Sequence, residues 1–165
     1  MKKIIQYPDP FLNEPTLPVH DIESEEIQKI IDCMIEAMYE YGGVGLAANQ
    51  IGYDKSIIVY DQTEDLSDTR VLINPQITFK SETKQKSKEG CLCIPGVYIP
   101  INRFTKFTVK GYDRHGIQIE IQAENQLANI LQHEIDHLHG ILFIDHLSKM
   151  QREIFRKRLR RIKRI

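Results

Sequence analysis

The chain has 165 residues, 41% apolar and 27% charged, with a net charge of −1. That balance is globular rather than that of a disordered or membrane chain, and it suits one domain over residues 1–165. No apolar run reaches the roughly 18 residues of a membrane helix, the basic N-terminus lacks the apolar stretch of a signal peptide, and three cysteines are too few for a disulfide framework.

Ser24–Tyr41 reads as the first helix, because Ile27, Ile30, Ile31, Met34, Ile35 and Met38 recur at helical spacing. Asp21 and Ser24 are its candidate caps, Gly42-Gly43 stops it, and Cys33 falls off the apolar stripe. Ser56–Tyr60 reads as a buried strand. Val71–Phe79 reads as a strand at an edge or broken at Pro75. Phe104–Tyr112 and Ile117–Ala123 alternate and are joined by Asp113-Arg114-His115-Gly116, a hairpin signal. Glu124–His139 turns helical again, with Gly140 as its C-cap. A strand-like piece, Ile141–Ile144, precedes a C-terminal helix from about Ser148. Helices and hairpins are segregated, so the expected class is α+β.

The strongest chemical signal is His133-Glu134-Ile135-Asp136-His137. On a helix the two histidines lie about 40° apart around the axis, so both imidazoles can hold one metal ion. Glu134, beside the first, can reach a water held there. Two histidines are too few for a catalytic centre. The longer protease pattern HExxHxxGxxH fails, because Phe143 stands where its third histidine belongs. Asp145 and His146 are downstream candidates for a third ligand. Cys91, in Glu89-Gly90-Cys91-Leu92-Cys93, is the better one. A thiolate and two imidazoles leave a fourth position open. Two rivals stay open on the residues alone. One is a zinc peptidase with a downstream ligand. The other is a structural zinc site using Cys91 and Cys93 in a nucleic-acid-binding module, which leaves Glu134 idle.

Three segments in order resemble the motifs of peptide deformylases: Gly43-Val44-Gly45-Leu46-Ala47-Ala48-Asn49-Gln50, then Glu89-Gly90-Cys91-Leu92-Cys93, then Gln132-His133-Glu134-Ile135-Asp136-His137-Leu138-His139-Gly140. The opening Tyr7-Pro8-Asp9-Pro10 also matches that family, so the resemblance spans nearly the whole chain. It implies removal of the formyl group from N-formylmethionyl nascent chains in a bacterial cytoplasm. It assigns one divalent ion, Fe²⁺ or in its place Ni²⁺, Co²⁺ or Zn²⁺, to Cys91, His133 and His137. Glu134 becomes the general base and acid, and Gln50 and the Leu92 N–H become donors to the oxyanion. Glu89 pairs with Arg103 to support the metal loop. One departure stands out: Cys93 replaces the family's serine.

Gly43 and Gly45 suit an extended peptide that adds as a strand. Val44 and Ile130 are candidates to line the methionine pocket, while Gln126 and Asn129 stand where the family more often has apolar residues. Residues 149–165 carry nine Lys/Arg against one Glu, so the rest of the chain is acidic. Met150, Ile154, Phe155, Leu159 and Ile162 form a helical stripe there, with Arg152, Arg156, Arg158, Arg160, Arg161, Lys163 and Arg164 around it. Such a helix points to a polyanionic partner, and the resemblance makes that partner the ribosome. Nothing calls for DNA, an integral membrane or an oligomer.

Overall fold

Ile27, Ile30, Ile31, Met34, Ala37 and Met38 fall on one side of the helix Glu25–Glu40 (α1), and all are buried. Ser24 caps it, its hydroxyl accepting the Ile27 N–H at 3.4 Å. The computed structural model describes residues 2–63, 65 and 67–162, with only the backbone of 161 and 162. Strands follow at Gly45–Ala47 (β1), Ile57–Tyr60 (β2), Arg70–Lys80 (β3), Lys84–Cys91 (β4), Ile94–Phe104 (β5), Lys106–Tyr112 (β6) and Gln118–Glu124 (β7). Two further helices are Asn125–Leu138 (α2) and Lys149–Ile162 (α3). None of the described helices is long and apolar enough to cross a membrane.

Five strands form one antiparallel sheet in the order β1-β2-β3-β6-β7, and β4 pairs with β5 in a separate hairpin. The part of the large sheet formed by β1, β2 and the start of β3 is buried on both faces. Ile57, Val59, Val71 and Ile73 join the core that contains α1. Their neighbours Ile58, Tyr60 and Leu72 join Ala128, Leu131, Ile135 and Leu138 of α2. This follows from strand alternation, in which successive side chains point to opposite faces. The architecture is α+β, with α2 held against the sheet beside its edge strand β1.

Three expectations change and one is met. The hairpin β4–β5 has no counterpart in the sequence reading, and its second strand ends at Phe104, where a strand was expected to begin. Pro75 lies inside β3, just past the residues 70–73 that pair with β2, and the expected break is found there. The register shifts between Ile73 and Gln76, so the proline occupies a bulge that needs no ladder N–H. Ile141–Ile144 is not a strand: Phe143–His146 forms a 3₁₀ turn, because the Asp145 carboxylate accepts the Leu142 N–H at 2.8 Å. On α3 the apolar stripe splits. Phe155 and Leu159 are buried, whereas Met150 and Ile154 are 71% and 61% exposed. Ile162 and Arg161 lie outside the described side chains, and Lys163 and Arg164 outside the described residues.

Candidate metal centre and active site

α2 carries His133, Glu134 and His137 on its buried face. Cys91 ends β4, directly before the turn Leu92-Cys93. Single ligand atoms of Cys91, His133 and His137 all lie within 4.8 Å of one another, and Cys91 Sγ is 3.3 Å from His137 Nε2. This is a metal-binding site whose donor set, one thiol and two imidazoles, fits a divalent transition ion. His133 turns its other nitrogen, Nδ1, to Glu89 Oε2 at 2.8 Å, the back-side support that metal-binding histidines need. In the metal-free chain the Cys91 thiol is pushed up to about 11, first by its hydrogen bond with Cys93 and then by burial. A bound cation reverses that by displacing the proton.

The downstream candidates are engaged elsewhere. His146 Nε2 meets Asp136 Oδ2 at 2.7 Å, and Asp145 caps the 3₁₀ turn. Phe143 packs its ring 5.9 Å from that of His133. Cys93 is outside the ligand cluster, so a two-thiol zinc site does not form among the described residues.

Behind His133 stands a buried ion network. Arg103 donates from Nε to Glu89 Oε1 at 2.6 Å and from Nη2 to Glu89 Oε2 at 2.8 Å, and from Nη1 to Asp136 Oδ2 at 2.6 Å. Burial pushes Glu89 up, but the bonds from Arg103 and His133 outweigh it and leave the carboxyl at about 2. The resemblance pointed to the Glu89–Arg103 pair. It did not point to Asp136, whose place one residue before a ligand histidine was the available signal.

Glu134 has the opposite surroundings. It is 5% exposed and its Oε2 has no partner among the described residues, and burial lifts its carboxyl to about 7. Gly45 makes room for it, since a β-carbon there would lie 2.6 Å from Glu134 Oε1. Gln50, in the 3₁₀ turn Ala48–Ile51, is fixed at both ends of its amide. Its Oε1 accepts the Ala47 N–H at 2.7 Å, and its Nε2 faces Cys93 Sγ at 3.3 Å and Cys91 Sγ at 3.6 Å. The Leu92 N–H has no acceptor among the described residues.

These groups open onto a cleft of about 680 Å³ lined by Gly43, Val44, Gly45, Gln50, Leu92, Ile130 and the centre itself. Val44 accepts the Asp61 N–H at 2.9 Å, so antiparallel alternation turns the peptide groups of Gly45 away from β2, toward the open edge. Gly43 differs from expectation: its N–H is spent on Met38 O at 2.9 Å. Gly90 lets the backbone approach the ring of Tyr98, which also lines the cleft.

A metal site with an adjacent buried carboxylate, set between a helix and a sheet edge, defines a metal-dependent hydrolase. The sequence profile of the polypeptide deformylase family matches residues 1–153. The chain is 46% identical over 164 residues to the peptide deformylase of Bartonella quintana, covering 96% of this chain and 93% of that one. It is 47% identical over 160 residues to that of Thermodesulfovibrio yellowstonii, covering 96% of each. The crystal structure of a peptide deformylase from Legionella pneumophila superposes with a TM-score of 0.92 at 41% identity, over 99% of this chain and 96% of that one. The Ehrlichia chaffeensis enzyme in complex with actinonin gives 0.92 at 35% identity, over 100% and 99%. The chain belongs to the polypeptide deformylase family, and it is of bacterial type.

Proposed function

We propose that the chain hydrolyses the N-terminal formyl amide of formylmethionyl peptides and releases formate. The observation that carries this is the clustering of Cys91, His133 and His137 beside Glu134, with Cys91, His133 and Glu134 lining one cleft. A divalent ion held by Cys91, His133 and His137 supplies Lewis acidity and a water that ionises near neutral pH. Glu134 takes the proton from the attacking water and returns it to the leaving amine, a role its raised pKa suits. Gln50 Nε2 and the Leu92 N–H donate to the oxyanion, and each such donor is worth about 10²–10³ in rate. The peptide pairs with the open edge at Gly45, and its first side chain passes between Val44 and Ile130. The native ion in this proposal is Fe²⁺, with Ni²⁺, Co²⁺ and Zn²⁺ as replacements. The test is formate release from a formyl-Met tripeptide: activity vanishes on chelation and returns with Fe²⁺ or Ni²⁺, whereas an inert metal-loaded chain overturns the reading.

The same proposal places the activity in the cytoplasm, at the ribosome. Arg156, Lys157, Arg158 and Arg160 are exposed on α3 beside the exposed Met150 and Ile154, a surface suited to RNA phosphates and an apolar protein contact. Deleting the residues after Met150 is expected to abolish co-sedimentation with ribosomes at low salt. Equal sedimentation of the truncated and full chains would make α3 a structural helix only.

A further inference from the structure

One wall of the cleft has an unexpected chemistry. α2 presents Gln126, Asn129 and Ile130, which lie seven, four and three residues before His133 and share its face. Opposite, β4 turns Gln85, Ser87 and Glu89 to one side, because alternate strand residues share a face. Two contacts join these faces. Glu89 Oε2 meets His133 Nδ1 at 2.8 Å, and Gln85 Nε2 donates to Asn129 Oδ1 at 3.2 Å. Ser87 is buried between them and lines the cleft. Between Glu89 and Ile130 the wall beside the metal site therefore offers hydroxyl and amide groups.

Its free groups include several donors. Asn129 commits its carbonyl to Gln85, which leaves the Nδ2 hydrogens for a ligand. The Ser87 hydroxyl and the Gln126 amide have no partner among the described residues. A peptide held with its formyl carbon at the metal site extends its first side chain along α2. One helical turn before His133, about 5.4 Å away, that side chain meets Asn129 and Ser87. Covering such donors with methylene or methyl groups leaves them unpaired, which costs binding.

We propose, on the deformylase reading above, that this pocket selects N-formylated peptides whose first side chain carries a hydrogen-bond acceptor at methionine's length, methionine sulfoxide being the form it fits. Val44 and Ile130 cover the methylene stem, and the sulfoxide oxygen accepts from Asn129 Nδ2 and Ser87 Oγ. The reaction is unchanged: water cleaves the formyl C–N bond to give formate and a free amine, and the sulfoxide is not altered.

The full chain loaded with Ni²⁺ is assayed for formate release from three tripeptides differing only in the first residue: formylmethionine sulfoxide, formylmethionine and formylnorleucine. The expected kcat/KM for the sulfoxide is about tenfold above that for norleucine, which lacks an acceptor. The double variant Ser87→Val, Asn129→Leu is expected to bring the ratio below one. If that variant does not fold, Asn129→Leu alone is compared with the unmodified chain. Norleucine hydrolysed faster than the sulfoxide by the unmodified chain overturns the proposal and leaves the deformylase reading standing. A folded variant with an unchanged ratio overturns the roles of Ser87 and Asn129. No formate from any of the three overturns the deformylase reading, and this proposal with it.

Discussion

Glu89 and Glu134 are both buried carboxylates close to His133, yet they are driven in opposite directions, to about 2 and about 7. Burial pushes both up. What separates them is that Arg103 grips Glu89 with two bonds and His133 adds a third, whereas Glu134 Oε2 has no partner among the described residues. On the Arg103 side the carboxylate stays ionised and holds a histidine still. On the cleft side it is poised to exchange a proton near neutral pH. One residue type is divided between support and chemistry by the hydrogen bonds each carboxylate is given.

The largest way to break the comparison is Glu134→Gln. It keeps the shape and removes the proton carrier, so turnover is expected to fall by about 10²–10⁴. Metal analysis of the same sample is expected to show the ion retained. A variant that loses its metal would make Glu134 a ligand instead.

Arg103→Leu attacks the other side. It leaves the Glu89 charge buried without its main partner, at a cost of about 3–5 kcal/mol. Thermal melting reads that loss. Metal titration is expected to show affinity about 10–100-fold weaker, since His133 loses its fixed support. Unchanged melting and affinity would mean that the network does not hold the site.

The smallest effect is in pH dependence, where the two carboxylates have opposite signs. The Glu89 pKa is depressed, so its contribution to stability is complete above about 4.5 and is lost as pH falls through about 2. The Glu134 pKa is raised, so the metal-free fold binds its proton more tightly than the unfolded chain. That stabilisation is present below about 4.5 and is lost as pH rises through about 7. Metal-free Glu134→Gln is therefore expected to gain on the order of 1–3 kcal/mol over the unmodified chain between acid and pH 8. Urea melts across that range check it, and parallel curves would contradict it.

The sequence showed the site more clearly than the fold around it. α1 and α2 announce themselves because their buried residues are apolar and recur every three or four positions. β4 does not. Its inward face is Gln85, Ser87 and Glu89 and its outward face is Lys84, Lys86 and Lys88, so its alternation is in partners rather than in hydrophobicity. The turn Phe143–His146 looked like a strand because Phe143 and Ile144 are apolar and buried, while the Asp145 cap that bends it is a single polar contact. The His133, Glu134 and His137 constellation was legible because one helix carries it. Cys91 was a candidate on its chemistry, but its choice over Cys93 needed the resemblance, since spacing gave no way to bring a strand end 42 residues upstream to the same point. The links from Arg103 to Asp136 and from Gln85 to Asn129 are contacts between distant segments and left no local signal.

The account depends most on Cys91 as the third ligand beside the two histidines. The direct measurement is the metal content of purified Cys91→Ala, paired with formate release from a formyl-Met tripeptide and a thermal melt. The account predicts a folded chain that has lost its ion and its turnover together. A folded variant that keeps a full equivalent of metal and still releases formate would contradict it, and would return the third ligand to some residue other than Cys91.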